Sequence, residues 1–146
     1  MLISENSIPN TLNRKRSNDQ KPLKEIFDSV YGRFDKLADK HVKDPTWLKG
    51  NVPFMGELLL GHLRYGTHGT NDIETVHPFL RENNWINRNL VLAGNFNLTN
   101  VDELFDILVD LGQYPKEYSD TVTMLEKVGH FLDNENQRLF DTYKAE

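Results

Sequence analysis

Apolar residues in this chain follow two different periods, and the change from one to the other limits the fold more than any other feature. Leu23, Ile26, Phe27, Val30, Phe34 and Leu37 recur every third or fourth position, which lines one face of a helix. Leu58-Leu59-Leu60 and Leu90-Val91-Leu92-Ala93 are short unbroken runs instead, the pattern of buried strands. The spacing predicts a helix opened by Pro22, a residue suited to a first turn, with Asp19 as its cap. That helix is expected to end near His41, before Asp44-Pro45, and a loop with Trp47, Gly50 and Pro53 follows. Strands, mostly buried, are expected over residues 57–65 and 89–93. Thr99 or Asn100 caps a second helix, with Asp102 and Glu103 in its first turn. This helix buries Leu104, Phe105, Leu108 and Leu111 and stops at Gly112. A third helix begins at Ser119 or Asp120, with Val122, Leu125, Val128 and Leu132 inside, and a last amphipathic piece covers residues 136–143. The order helix, strand, strand, helix, helix is that of the α+β class, a sheet with helices packed on it. Two strands are too few for a sheet that stands alone, so further strands are expected before residue 1.

Composition narrows the function classes. The chain has 146 residues, 38% of them apolar, which fits one ordinary domain. Its formal charge is −5 and it has no long basic run, so nucleic acid is not an expected partner. No apolar stretch approaches the ~20 residues of a membrane span. Residues 1–10 show no basic head followed by an apolar run; the cytoplasm is therefore the default location. Residues 1–20 read as a flexible lead-in or an edge strand, with Arg14-Lys15-Arg16 as a solvated basic patch. There is no cysteine, which excludes disulfides, thiolate metal sites and a cysteine nucleophile within these residues. Of the five histidines only His62 and His68 lie close in sequence, and their spacing matches no standard zinc motif. No metal and no cofactor are expected.

Chemistry-bearing residues gather at the ends of the two strands and at one helix start. They are Gly61-His62-Leu63-Arg64-Tyr65-Gly66-Thr67-His68-Gly69, then Ala93 to Asn100, then Ser119-Asp120-Thr121. A free amino acid needs a cation for its carboxylate and an anion for its ammonium, one small molecule apart. Arg64 offers a planar fork matched to a carboxylate. Asp120 offers an acceptor for an ammonium, and the Asn95 side chain offers an NH2 donor for an oxyanion. Each has a plain structural reading too. An arginine in a strand usually meets a surface carboxylate, Asn95 and Asn97 build turns, and Asp120 caps a helix.

The ordered set Gly61 to Gly69, Val76-His77-Pro78-Phe79 and Asn95-Phe96-Asn97-Leu98-Thr99-Asn100 resembles the glutaminase domain of amidophosphoribosyltransferases, over roughly residues 21–143. That family opens the pathway to purines, and its glutaminase domain has the N-terminal-nucleophile hydrolase fold, two stacked sheets between helical layers. The resemblance implies that Arg64 binds the glutamine α-carboxylate and that Thr67 lines the same pocket. His68, beside it, has no secure role. Asn95 would form half of the oxyanion hole, and Asp120 would hold the α-amino group.

Two departures stand out. The family usually has glycine after the oxyanion asparagine, with its N–H completing the hole; here Phe96 occupies that position, and a positive φ would be costly for phenylalanine. The family's nucleophile is an N-terminal cysteine whose own α-amine is the base, whereas this chain starts Met1-Leu2. The resemblance therefore implies a partial glutaminase domain over residues 21–146, truncated before residue 1 and inactive alone. The competing reading is a non-catalytic module that binds glutamine or a partner. A third reading is an oligomerisation piece, in which an exposed sheet edge pairs with a second copy.

Overall fold

The computed structural model describes residues 2–5, 12–63 and 73–144. It mixes helices with short antiparallel strands, as expected of the α+β class. The chain divides into two compact units, one ending at Pro78 and the other beginning at Phe79.

The first unit carries a three-stranded sheet. β1 (Leu2–Glu5) is the middle strand, with β2 (Leu12–Lys15) on one side and β3 (Leu59–Gly61) on the other. Both pairings are antiparallel, with Ile3 opposite Arg14 and Leu60. α1 (Pro22–Tyr31) has Pro22 in its first turn and buries Ile26 and Val30. It is shorter than its stripe of apolar residues. Gly32 closes it, and Phe34 falls in a separate 3₁₀ turn, Phe34–Lys36. A glycine at the helix end costs about 1 kcal/mol relative to alanine, enough to stop a helix whose next residues bury nothing. Asp19 does not cap α1; its carboxylate accepts the Lys21 N–H at 3.0 Å, a local turn just ahead of the helix. Two further helices, α2 (Asp39–Val42) and α3 (Pro45–Asn51), follow, and Asp44 caps α3 by accepting the Trp47 N–H at 3.0 Å.

Val52 and Phe54 complete the buried apolar set of this unit. Phe54 is 6% exposed and takes φ +69°, with the Arg33 guanidinium 5.8 Å from its ring centroid. The run Leu58-Leu59-Leu60 is not buried, contrary to expectation: these side chains are 68%, 52% and 37% exposed. β3 lies at a sheet edge, and all three of its residues are exposed. Unbroken apolar sequence cannot by itself tell an edge strand from a central one. Arg16 also departs from the solvated patch expected of it. Its guanidinium makes a two-pronged bond to Glu74 at 3.0 Å and donates to the Ile73 carbonyl at 2.9 Å.

The second unit is built on α5 (Asp120–Tyr143), a single helix of 24 residues rather than two pieces. An antiparallel pair, β4 (Phe79–Arg81) and β5 (Leu90–Leu92), packs on it, with Leu80 opposite Val91. α4 (Val101–Asp110) packs on it as well. Leu108, Val122 and Leu125 form the buried apolar centre, and Thr123 is fully enclosed with them. Leu111 and Val128, expected inside, are 51% and 39% exposed; α4 has already ended at Leu111, and Val128 lies off the face that meets the strands. Among the described residues no helix is long and apolar enough to cross a membrane.

Candidate functional site

β5 hands the chain to an irregular loop over residues 93–100, which then turns into α4. The loop is fixed from two directions. The Phe96 ring folds back on Gly94, so closely that a Cβ on Gly94 would sit 2.5 Å from the ring's Cζ. A side chain on Gly94 would have to push that ring aside. Further along, the Leu98 N–H donates to Asp120 Oδ2 at 2.9 Å.

Asp120 can reach Leu98 because it is relieved of the capping role. Ser119 is the N-cap of α5, its Oγ accepting the Val122 N–H at 3.2 Å. The serine side chain satisfies one orphan donor of the first turn. Asp120, one residue on, still gains from the positive end of the helix while its carboxylate turns to the loop. Asn95, Phe96 and Asp120 therefore belong to one unit, and a single backbone hydrogen bond joins the segment that holds the first two to the third. Asn95 and Asn97 are exposed, and Phe96 is half-buried. Among the described residues Phe54 is the only non-glycine residue at positive φ, so Phe96 occupies its position without the backbone penalty that a left-handed conformation would carry.

Arg64, Thr67 and His68 lie outside the described residues. The neighbouring motif segments do meet in the first unit: the rings of His62 and His77 stack with centroids 4.7 Å apart, and His77 is 7% exposed. Among the described residues no three His, Asp or Glu side chains converge in a way that would hold a metal.

One polar cluster escaped the sequence reading. Arg81, on β4, lays its guanidinium across α5 between Glu126 and Asp133, at 3.1 and 2.5 Å. It also donates to the Arg88 carbonyl at 3.4 Å. The hydrogen bond to Asp133 is the main cause that raises the Arg81 pKa; burial opposes it and Glu126 adds to it. The side chain passes over Gly129, where a Cβ would lie 2.6 Å from Arg81 Nε. An isolated glycine inside a long helical pattern was the available signal, since it costs about 1 kcal/mol relative to alanine and here makes room for the Arg81 side chain.

In the second unit a helix start and a strand-end loop are thus tied by one carboxylate. Two curated relatives, both amidophosphoribosyltransferases, support a relationship to that family over about half of the chain. The one from Lacticaseibacillus casei is 34% identical over 77 residues, covering 53% of this chain and 39% of its own length. The one from Bacillus subtilis (strain 168) is 38% identical over 80 residues, covering 52% of this chain and 16% of its own length. The chain thus spans well under half the length of either relative. No family model matches, and no solved structure matches.

Proposed function

We propose that this chain is part of the glutamine-hydrolysing domain of an amidophosphoribosyltransferase, with no cysteine nucleophile among its residues and carrying glutamine-recognition groups. In the parent reaction glutamine would be hydrolysed through a cysteinyl thioester, and the ammonia released would attack phosphoribosyl pyrophosphate. Within this chain Arg64 would grip the α-carboxylate through a two-pronged charge-assisted contact, with Thr67 beside it. Asp120 would take the α-ammonium. The Asn95 side-chain NH2 and the Phe96 N–H would face the amide oxygen as it gains negative charge. The N-terminal-nucleophile hydrolase fold and a cytoplasmic location go with this reading.

The observation that carries it is the bond from Leu98 N–H to Asp120. It joins the loop of the proposed oxyanion donors to the proposed ammonium acceptor, two groups 25 positions apart (Asn95 and Asp120) that a shared ligand would need close together. Without a thiol there is no nucleophile to form the thioester. The pure chain is therefore expected to release no glutamate from glutamine. Glutamate release that disappears in an Arg64→Ala control would overturn the assignment of an inactive piece. Glutamine is nonetheless expected to bind weakly, with a Kd on the order of 1 mM, or about −4 kcal/mol. Chemical-shift changes at Asn95 and Asp120 during a glutamine titration would report it, and their absence at tens of millimolar would refute the recognition role.

A further inference from the structure

We infer that the outer edge of β3 pairs antiparallel with the same strand of a second copy of this chain, giving a two-fold dimer whose sheet runs through both molecules. The inference does not depend on the glutamine reading. The inner side of β3 is paired with β1, and among the described residues no strand pairs with its outer side. Such an edge presents a row of backbone donors and acceptors that fits another extended segment. The side chains suit the same kind of partner, since Leu58, Leu59, Leu60 and Leu63 are all exposed. Leu59 and Leu60 lie on opposite faces of the pleat, so an added strand would cover apolar surface on both.

The distribution of charge selects a second copy and sets its orientation. From Leu58 to Leu63 the sequence holds no Asp, Glu, Lys or Arg. The opposite edge, β2, carries Arg14 and Lys15, residues of the kind that discourage strand addition. Two copies joined β3 to β3 therefore leave a charged strand at each end of the combined sheet, and assembly closes at two. An antiparallel arrangement about Leu60 sets Leu60 opposite its own counterpart and Leu59 opposite Gly61. It also keeps the two Glu57 carboxylates, each bonded to Lys49 of its own copy, at opposite ends of the seam. At ~3.4 Å per residue they stand roughly 20 Å apart, about twice the screening length of ~10 Å at 0.1 M salt. A parallel arrangement would bring these like charges side by side. A strand of three residues makes a small interface, so the dimer is weak, with a Kd on the order of 100 μM.

The chain contains no cysteine, so a single introduced thiol reports its own surroundings. The test is sedimentation of the whole chain over a concentration series, together with disulfide trapping of single-cysteine variants under mild oxidation. Wild type is expected to be monomeric at about 10 μM and mostly dimeric at about 1 mM. Leu59→Lys puts a cation on the shared edge and leaves the backbone pairing with β1 in place; it is expected to weaken association about tenfold or more. Leu139→Lys, at an exposed leucine of α5, is expected to leave association unchanged. Leu60→Cys is expected to form a covalent dimer about tenfold or more faster than Leu139→Cys, because opposed residues of an antiparallel pair lie within disulfide reach. Should Leu59→Lys fail to fold, the two trapping rates decide alone. A strict monomer at 1 mM would overturn the inference. So would association that Leu59→Lys leaves intact or that Leu139→Lys weakens equally, and so would equal trapping rates.

Discussion

Arg81 and Gly129 are a matched pair whose value is legible only in three dimensions. The guanidinium lies between Glu126 and Asp133 with side chains 16%, 25% and 27% exposed, so solvent screens it less than a surface pair. Removing it strands two half-buried carboxylates on one helix face. Arg81→Ala is expected to cost about 2 kcal/mol in urea denaturation. Gly129→Ala should gain about 1 kcal/mol of helix propensity, but its Cβ would displace the Arg81 side chain. The expected outcome is a net loss of stability with Arg81 present and a net gain in the Arg81→Ala background, a change of sign that a double-mutant cycle detects. Because the Arg81 pKa is raised, its contribution is complete below the unfolded arginine value and fades only as pH rises through a still higher one. It adds no pH dependence near neutrality. Glu57 behaves oppositely. The hydrogen bond from Lys49, and then its charge, hold the Glu57 carboxyl below its ordinary value. Its small contribution is present above the unfolded glutamate pKa of about 4.3 and is lost as pH falls through the lower folded value. Glu57→Gln is expected to flatten the acid limb of the stability curve slightly, an effect that added salt suppresses because Glu57 is fully exposed.

At the scale of elements, helix boundaries were readable wherever a residue type has one local use. Gly112 takes φ +82°. The Gln113 N–H bonds the Leu108 carbonyl at 3.0 Å and the Gly112 N–H bonds that of Val109 at 2.8 Å, the paired closure of a Schellman end. Gly112→Ala is expected to cost about 1 kcal/mol and Gly112→Asn less, since asparagine tolerates the left-handed region better. Ser119, Gly112 and the apolar stripe through Leu108 were therefore enough to place α4 and the start of α5. Leu108 is fully enclosed, and Leu108→Ala is expected to cost about 2–5 kcal/mol by thermal or chemical denaturation. What failed was burial. Leu58 to Leu60 looked buried because their neighbours are apolar, yet exposure depends on what covers a strand, which sequence does not state. β4 was missed, since a run as short as Phe79-Leu80-Arg81 carries no readable period, and residues 1–20, expected to be a flexible lead-in or an edge strand, hold two strands, β1 and β2. The bond between Leu98 and Asp120 was illegible for a related reason. Asp120 one residue after a capping serine reads as part of the cap, and only the fold shows which of the two side chains does the capping.

The molecule as a whole combines a partial likeness to amidophosphoribosyltransferases with a loop–helix tether in the second unit. The likeness covers about half of the chain, and the tether joins the loop over residues 93–100 to the start of α5. Under the proposed function a guanidinium and a carboxylate would hold opposite ends of one glutamine. Arg64 and Asp120 are the residues at stake, and each is expected to be indispensable because a charged end left unpaired forfeits most of so weak an affinity. The direct measurement is calorimetric titration of glutamine into the wild-type chain, Arg64→Ala and Asp120→Asn under identical conditions. Weak saturable binding to wild type and none to either variant is expected; binding that persists unchanged in both variants would contradict the proposed function.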